Sequence, residues 1–428
     1  MKRHRAQSSL RLVVMLTVVV GLAGVAYAQL PEATSSLPAV VQPDPLIQSM
    51  IDQVMADDVV RYDRELAGEL QVWVDGGWYT IPTRHTYSGT PILKTTHYVG
   101  EHLVSLGLDV EYQAWDTSSN PNVIGELPGS ANPGDIFIIG AHVDDVQNTP
   151  GADDNATGAA ATMIAADILS QYDWGCTLRF AFWTGEEQNL DGSDAYAYRA
   201  WQNDENIVGY LNLDMIGYNS SGSSPGIDLM YDPDTPGTQN LAQLYADVVD
   251  AYSLSLVPEV LPDYWWESDH ASFWEYGYKA IMAIEDDDDF NPWYHTSGDT
   301  PARLNQVYFA EFVKASIATL AHMSGCLIPG EMGTIDGHVT VAGGGGPIAG
   351  ATVTARNGAG DAFVITADGA GYYTRALPVG TYAVTVTAHG YRPVTVPAVE
   401  IISGQVTTQD FGLEAATLFK TYLPFVGK

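Results

Sequence analysis

The sequence is poor in basic residues. It has 18 Lys and Arg against 52 Asp and Glu in 428 residues, a formal net charge of −34. Nucleic-acid binders need a basic face, so this charge excludes that class of partner, and it argues against docking on anionic membranes. No run after residue 28 reaches the roughly 18 apolar residues that a membrane-spanning helix needs. Hydrophobic residues still make up 46% of the chain, which excludes global disorder and allows a large core.

Cysteine is almost absent, since Cys176 and Cys326 are the only two. Neither has the paired spacing of a zinc knuckle or of a CxxC redox motif, so both kinds of thiolate chemistry are excluded. Two cysteines in an exported chain can form one disulfide. Two separate buried thiols are an equally good interpretation.

The first 28 residues have the form of a secretory signal. A basic stretch at residues 1–5 precedes an apolar run at 12–26, and Ala26-Tyr27-Ala28 has the small-x-small form that signal peptidases cleave. The alternative is an uncleaved N-terminal anchor. We expect secretion after cleavage near Ala28, with residues 29–45 forming a leader or pro-segment.

Strand-like and helix-like patterns alternate between residues 46 and 328. Helices are predicted at 46–70, 90–106, 156–170, 193–203, 238–252 and 306–323, and strands at 108–115, 122–127, 135–140, 177–183, 210–214, 227–231 and 279–284. Most of these strands are nearly continuous apolar runs, which is typical of strands buried on both faces. The predicted fold is α/β, with a doubly wound, mostly parallel sheet and helices on both faces. In such sheets the active site lies beyond the carboxyl ends of the strands.

The pattern changes after a short linker at residues 329–332. Residues 333–413 consist of short alternating strands separated by glycine-rich turns, which predicts a small all-β sandwich. No catalytic constellation occurs in it. The apolar tail at residues 414–428 has no interpretation.

Metal-competent side chains follow successive predicted strands in the α/β part. They are His142 and Asp144, Asp153 and Asp154, Glu186 and Glu187, Asp214, and His295. Each has a plainer alternative, such as helix capping for the aspartates of the turn or a solvated helix start for the glutamates. Together at one sheet edge, these acids would repel one another without a cation. Nitrogen and oxygen ligands without thiolates fit zinc, and two ions fit better than one.

These motifs resemble those of the M28 family of zinc aminopeptidases, of the bacterial leucyl aminopeptidase type. The resemblance covers about residues 85–325, and its motifs occur in the expected order at 140–144, 151–158, 185–187, 213–215, 268–271 and 295–300. It implies a zinc exopeptidase fold and two Zn²⁺ ions per chain. The implied ligands are His142 and Asp214 for one ion, Glu187 and His295 for the other, and Asp154 as the bridge.

The resemblance also implies catalytic roles. Asp144 would orient His142, and Glu186 would be the general base, taking a proton from the water that bridges the ions and returning it to the leaving amine. A strained or cis peptide is implied between Asp153 and Asp154. Ser268 and Asp269, in contrast, are interpreted most simply as caps of a following helix.

Aromatic residues in two loops predict the substrate pocket. Trp265, Trp266, Phe290 and Trp293 would form an apolar pocket that favours large hydrophobic N-terminal residues, although an ordinary loop core is an equally good interpretation. Tyr264 is the candidate for the hydroxyl that supports the tetrahedral intermediate in some family members.

Residues 333–413 resemble carboxypeptidase-regulatory-like modules through the segments 335–339, 347–353 and 371–373. Such a module would bind a surface or a partner protein, or would only stabilise the chain. The predicted function is a secreted aminopeptidase that acts on peptides. The alternatives are a related carboxypeptidase, a glutaminyl-cyclase-like enzyme, or a non-catalytic adhesion or binding protein on a peptidase scaffold.

Overall fold

The computed structural model describes residues 41–416 except 117–119, 264–265, 329, 331 and 359–361. The predicted signal peptide, most of the predicted leader and the tail beyond residue 416 lie outside this part of the chain. Within it, no helix is long and apolar enough to cross a membrane. Val41 is already buried in the main core, so packed structure begins ahead of position 46.

Helices and strands alternate along the first part of the chain. The helices are α1 (Pro45–Ile51), α2 (Ala56–Leu66), α3 (Thr90–Ser105), α4 (Gly158–Leu169), α5 (Asp191–Gln202), α6 (Thr238–Ala251), α7 (His270–Glu275) and α8 (Gln306–Ser324). The strands are β1 (Val72–Val74), β2 (Gly77–Tyr79), β3 (Asp109–Gln113), β4 (Asn122–Leu127), β5 (Asn132–His142), β6 (Cys176–Trp183), β7 (Asn206–Leu213), β8 (Gly226–Tyr231), β9 (Val257–Pro262) and β10 (Ala280–Glu285).

Eight of these strands form one mixed sheet in the order β3-β4-β6-β5-β7-β10-β8-β9. The pairs β5–β6, β5–β7, β7–β10 and β8–β9 are parallel, and the other three are antiparallel. The α/β prediction is confirmed, with antiparallel pairings outside the parallel centre. Because β5, β6, β7 and β10 run in the same direction, their carboxyl ends meet at one edge of the sheet.

The predicted single helix at 46–70 is wrong, because the chain breaks there between α1 and α2. Asp52 ends the first helix, and Met55 has extended backbone angles before the second begins. Val54 in the connection is buried in the core. Apolar spacing alone did not reveal the break because the buried positions continue across it.

The β1–β2 hairpin was not predicted. Asp75 and Gly76 at its turn both have positive φ, 51° and 74°, as a two-residue type I′ turn requires. The dipeptide Asp-Gly between Val74 and Gly77 was the available sequence signal.

A disulfide joins Cys176, at the start of β6, to Cys326, just after α8. The amide of Gly175 also donates to the Cys326 carbonyl at 2.7 Å. Of the two interpretations of the cysteines, the structure shows the bridged one. The disulfide connects the end of α8 to the amino end of the central strand β6. The metal-competent side chains lie at the opposite edge of the sheet, beyond the carboxyl ends of the strands.

The C-terminal part contains two small sheets. Its strands are β11 (Met332–Val341), β12 (Thr352–Arg356), β13 (Ala362–Thr366), β14 (Tyr372–Pro378), β15 (Gly380–Thr387), β16 (Val394–Ile401), β17 (Val406–Thr408) and β18 (Phe411–Leu413). One sheet has the order β14-β11-β17, with β18 also paired to β11, and the other has the order β13-β12-β15-β16. Their buried residues form one core that includes Ile335, Val384 and Leu377. The predicted all-β sandwich is confirmed.

Candidate metal centre

Strand register brings the first two predicted ligands together. Gly140 on β5 pairs with Asn212 on β7, so two residues further along both strands His142 lies across from Asp214. His142 Nε2 lies 3.4 Å from Asp214 Oδ1. Both residues are buried, with relative exposures of 1% and 8%.

Asp154 is presented by an irregular turn, Ala152–Thr157, that precedes α4. The backbone amides of Asp153 and Asp154 both donate to the Asp299 carboxylate, at 3.0 and 3.2 Å. The Asp153 side chain points into the scaffold, where it accepts from Gly217 N and Asn291 Nδ2. The two adjacent aspartates therefore have different tasks, and only Asp154 faces the candidate ligands.

The cis peptide bond of this turn joins Asp154 to Asn155, so the predicted position between Asp153 and Asp154 is wrong by one residue. The side chain of Asn155 connects the turn to the end of β7: its Nδ2 donates to Leu213 O, and its Oδ1 accepts from Gly158 N and Met215 N.

Asp154 lies between two histidines. Its Oδ1 is 3.3 Å from His142 Nε2, and its Oδ2 is 3.1 Å from His295 Nε2. Glu187 Oε2 is 3.2 Å from the same nitrogen of His295. The ligand atoms of His142, Asp154 and Asp214 form one compact group, and those of Asp154, Glu187 and His295 form a second.

These spacings fit two zinc ions. Ligand atoms about 2.0–2.1 Å from one tetrahedral zinc lie about 3.3 Å from each other, which matches the observed distances of 3.1–3.4 Å. The second carboxylate oxygen of Glu187, Oε1, is buried and has no hydrogen-bond partner, which is unfavourable for a carboxylate unless a cation compensates it. The residues present therefore fit the pair of ions that the sequence predicts.

The electrostatics of the group are dominated by excess negative charge. Burial by itself lowers the pKa of His142, but Glu186 and Asp214 outweigh it and raise that pKa well above its usual value. Burial also lowers the pKa of His295, while its hydrogen bonds to Asp154 and Glu187 raise it to about 10. Burial raises the pKa of Asp154, but the two histidines hold it below its ordinary value. This negative potential, which holds protons on both histidines, is the potential that a divalent cation would neutralise.

Glu186 belongs to neither of these two groups, but it forms a third one with His142 and Glu187. Its Oε2 lies 4.0 Å from His142 Nε2, and burial raises the pKa of its carboxyl well above the usual value. A raised pKa is what a carboxylate needs in order to take up and release a proton near neutral pH. The adjacent Glu187 has its pKa raised to about 7, mainly by burial.

Asp144 is placed differently from the expectation. The oxygen nearest to His142 Nδ1 is the carbonyl of Asp144 at 3.2 Å, whereas its carboxylate oxygen Oδ1 is 3.7 Å away. The carboxylate instead accepts from Thr86 Oγ1 at 2.6 Å and from the Glu186 amide at 3.3 Å. The backbone of Asp144 thus contacts the histidine, and its side chain contacts the loop that carries Glu186.

Ser268 and Asp269 do not cap α7 with their side chains. No capping hydrogen bond is made by Asp269, and Ser268 Oγ donates to Asp214 Oδ2 at 2.6 Å while it accepts from Asn212 Nδ2 at 2.8 Å. The capping interpretation is wrong because the tertiary fold brings β7 against this segment. Burial raises the pKa of Asp269 to about 7, and its charge in turn raises the pKa of Glu186.

Tyr294 was not singled out by the sequence. Its ring stacks on His295 with centroids 3.7 Å apart. Burial, followed by the charges of Asp154 and Asp214, raises the pKa of its hydroxyl. The ring limits the orientations that His295 can adopt. Adjacency to His295 was the only sequence signal for this contact.

The predicted substrate pocket stays a prediction. Tyr264 and Trp265 lie outside the described residues. The ring of Trp266 contacts Trp274, with centroids 5.8 Å apart, while the ring of Trp293 lies 4.2 Å from the guanidinium carbon of Arg303. Phe290 packs edge-on against Tyr294.

Comparisons with known proteins show which families this chain resembles. Residues 122–320 match the model of peptidase family M28, and residues 334–414 match that of the carboxypeptidase regulatory-like domain. Leucine aminopeptidase 1 of Aspergillus fumigatus is 29% identical over 287 residues, covering 61% of this chain and 72% of that protein. Aminopeptidase Y of Saccharomyces cerevisiae is 28% identical over 195 residues, covering 41% of this chain and 34% of the yeast protein.

The chain spans about half the length of several curated relatives it matches, for example 44% and 57% of two fungal proteins. The structure of the LapA aminopeptidase of Legionella pneumophila superposes with a TM-score of 0.59 at 19% identity, covering 70% of this chain and 78% of that one. At this identity the likeness shows a shared fold.

Proposed function

We propose, starting from the match of residues 122–320 to the model of peptidase family M28, that this protein is a zinc-dependent aminopeptidase. The observation that carries the proposal is the position of Asp154, whose two oxygens lie 3.3 and 3.1 Å from the nitrogens of His142 and His295. Each histidine also has a second acid within 3.4 Å, Asp214 or Glu187. An arrangement of this kind, with Glu186 beside it, suits the hydrolysis of a peptide bond next to two cations.

His142, Asp154 and Asp214 would hold one zinc ion, and Asp154, Glu187 and His295 the other. Bound zinc supplies a Lewis acid that polarises a carbonyl and lowers the pKa of water. The protein's own task is then the proton. Glu186, next to the ligands and with a raised pKa, takes a proton from the attacking water as the new C–O bond forms. It returns that proton to the leaving nitrogen as the C–N bond breaks, so the glutamate ends as it began.

The preference for a free amino terminus is supported by the similarity of this chain to proteins named as aminopeptidases, such as aminopeptidase Y of Saccharomyces cerevisiae and leucine aminopeptidase 1 of Aspergillus fumigatus. We extend the proposal to large hydrophobic N-terminal residues on the basis of Trp266 and Trp293, and to secretion on the basis of the signal-like residues 1–28.

The test is hydrolysis of leucyl-p-nitroanilide beside its N-acetylated form by purified protein, together with the metal content per chain. We expect release of p-nitroaniline from the free-amine substrate only, loss of this activity with a chelator, and its recovery with zinc at two ions per chain. Equal cleavage of both substrates would contradict the aminopeptidase assignment. A protein that binds no zinc and cleaves neither would instead favour the non-catalytic alternative.

A further inference from the structure

A segment well before the M28 motifs contacts three of the loops that carry the candidate ligands. We call residues 83–86, Thr-Arg-His-Thr, the strap. It has no regular secondary structure and lies between the β1–β2 hairpin and α3. Arg84 and Thr86 within it are buried, with exposures of 0% and 1%. None of its residues is a candidate ligand.

Arg84 holds two of these loops by their backbone. Its Nε donates to Val143 O at 2.8 Å, between His142 and Asp144. Its two terminal nitrogens donate to Pro150 O at 2.8 Å and Gly151 O at 2.6 Å, just before the turn that presents Asp154. A side chain at Gly151 would meet Nη2 of Arg84 at 2.7 Å, so this close approach requires glycine there. A buried guanidinium satisfied by backbone carbonyls sets the distance between the two loops.

Thr86 holds the third loop. Its hydroxyl donates to Asp144 Oδ2 at 2.6 Å and accepts from the Gly185 amide at 3.0 Å. The other oxygen of Asp144 accepts from the Glu186 amide at 3.3 Å. Two consecutive amides, one of them that of Glu186 itself, are therefore bound to the Thr86–Asp144 pair, while the carbonyl of Asp144 contacts His142.

We propose that Thr86 is a positioning residue that sets the backbone of Glu186 and Glu187 relative to His142 through Asp144. The Thr86 hydroxyl joins the carboxylate of Asp144 to the amide of Gly185. Gly185 has a φ of +82°, and the turn that leads into Glu186 and Glu187 begins at this residue. Without the hydroxyl, Asp144 Oδ2 and the Gly185 amide lose this shared partner in a buried site, which favours a shift of the loop. The proposal rests on the proposed zinc site for its binding part and on the proposed aminopeptidase activity for its kinetic part.

The test compares Thr86→Val with Thr86→Ser, and with Thr96→Val as the matched control. Thr96 is equally buried in the same part of the chain, and its hydroxyl donates to Leu93 O within α3. Zinc affinity is measured by competition with a chelator, and kcat and KM for leucyl-p-nitroanilide are measured at saturating zinc. If Thr86→Val does not fold, Thr86→Ala removes the same hydroxyl without the added methyl group.

We expect Thr86→Val to weaken zinc binding by about 10- to 100-fold and to lower kcat by a similar factor, the usual range for partners of ligands. KM should change by less than about threefold, because the side chain of Thr86 is buried, with an exposure of 1%, and is not on the open surface of the site. Thr86→Ser should restore both quantities, and Thr96→Val should behave as the wild type.

Wild-type zinc affinity and kcat in Thr86→Val, or a serine variant as impaired as the valine variant, would overturn the proposal. A wild-type protein without peptidase activity would overturn the proposed function alone, because the zinc-affinity comparison does not depend on turnover.

Discussion

The α/β part and the β-sandwich bury different kinds of side chain. In the described residues of the sandwich, every buried residue is apolar, tyrosine or glycine. The α/β part buries many carboxylates, among them Asp63, Asp144, Asp154 and Asp214, and Arg84 is the only buried Lys or Arg among the described residues. An apolar core needs no partner beyond its own packing, whereas buried acids without enough basic partners are stable only with cations or protons. The core of the sandwich is therefore stable through apolar packing alone, whereas the core of the α/β part needs a compensating charge.

The largest expected effect tests this difference with one glutamate from each part. We expect Glu186→Gln to lower kcat by about 10²–10⁴-fold, because the amide cannot carry the proton, and to leave zinc content unchanged. Glu400→Gln, at an exposed position of β16, should retain full activity. Steady-state kinetics with zinc analysis measures both. Near-normal turnover in Glu186→Gln would rule out this residue as the general base.

Removal of the metal should destabilise the α/β part and leave the stability of the sandwich unchanged. Zinc at about 1,000 times its Kd stabilises the folded state by about 4 kcal/mol, and this stabilisation acts where the ligands lie. A chelator should therefore increase hydrogen exchange in β5, β6 and β7 and leave the strands of the sandwich unchanged. Hydrogen exchange with mass spectrometry resolves the two sets of peptides. Equal loosening of both parts would mean that the sandwich depends on the metal centre.

The reverse experiment places a cavity in the sandwich. Leu377→Ala on β14 removes a fully buried side chain and should lower the free energy of unfolding by about 2–5 kcal/mol. Thr374→Ala, at an exposed position of the same strand, should change it by less than about 0.5 kcal/mol. Activity per folded molecule should be unchanged in both. Loss of kcat in folded Leu377→Ala would show that the sandwich shapes the active site.

The smallest effect concerns a buried acid away from the ligands. Asp63 on α2 is fully buried, neither of its oxygens has a hydrogen-bond partner, and burial raises its pKa well above the usual value. Asp299, Asp153 and Glu69 raise it further, while Arg84 lowers it. The folded protein thus holds a proton that the unfolded chain releases near pH 4. The stability associated with Asp63 therefore falls as the pH rises from about 4 to the folded pKa.

Asp63→Asn removes this ionisation, so the variant should be more stable than the wild type at neutral pH. The advantage should disappear below about pH 4, where the wild-type carboxyl is protonated in both states. Urea unfolding over this pH range measures it, with Asp57→Asn at an exposed position of the same helix as the control. An advantage independent of pH would contradict the ionisation of Asp63 as its cause.

Much of the fold could be predicted because it depends on local pattern. The predicted strand at 122–127 coincides with β4, and the predicted helices at 90–106, 238–252 and 306–323 end within one residue of α3, α6 and α8. The break between α1 and α2 and the β1–β2 hairpin were missed. The break between the helices has buried apolar residues on both sides and contains no proline or glycine. The hairpin depends on a turn of only two residues.

The candidate site, too, could be predicted only in part from the sequence. Sequence order and residue type were enough to select the group of candidate side chains, because the carboxyl ends of neighbouring parallel strands meet at one edge. The choice of Asp154 over Asp153 and of Glu187 over Glu186 as ligands came from the resemblance to the M28 family. The contacts that hold these side chains were not selected. Ser268 was interpreted as a cap although it donates to Asp214, and the Arg84 and Thr86 contacts were not predicted at all.

The sequence by itself determined which side chains could bind metal ions and which stretches of the chain form the α/β core and the β-sandwich core. It also determined the excess of acidic over basic residues that the α/β part must compensate. These follow from residue type, order and periodicity, which are local properties. Only the tertiary structure decided how the ligands are held, since Thr86 and Gly185 are separated by 99 residues of sequence and their amide and hydroxyl lie 3.0 Å apart. A contact of this kind depends on strand register and on the path of a segment without regular structure, and neither leaves a periodic trace in the sequence.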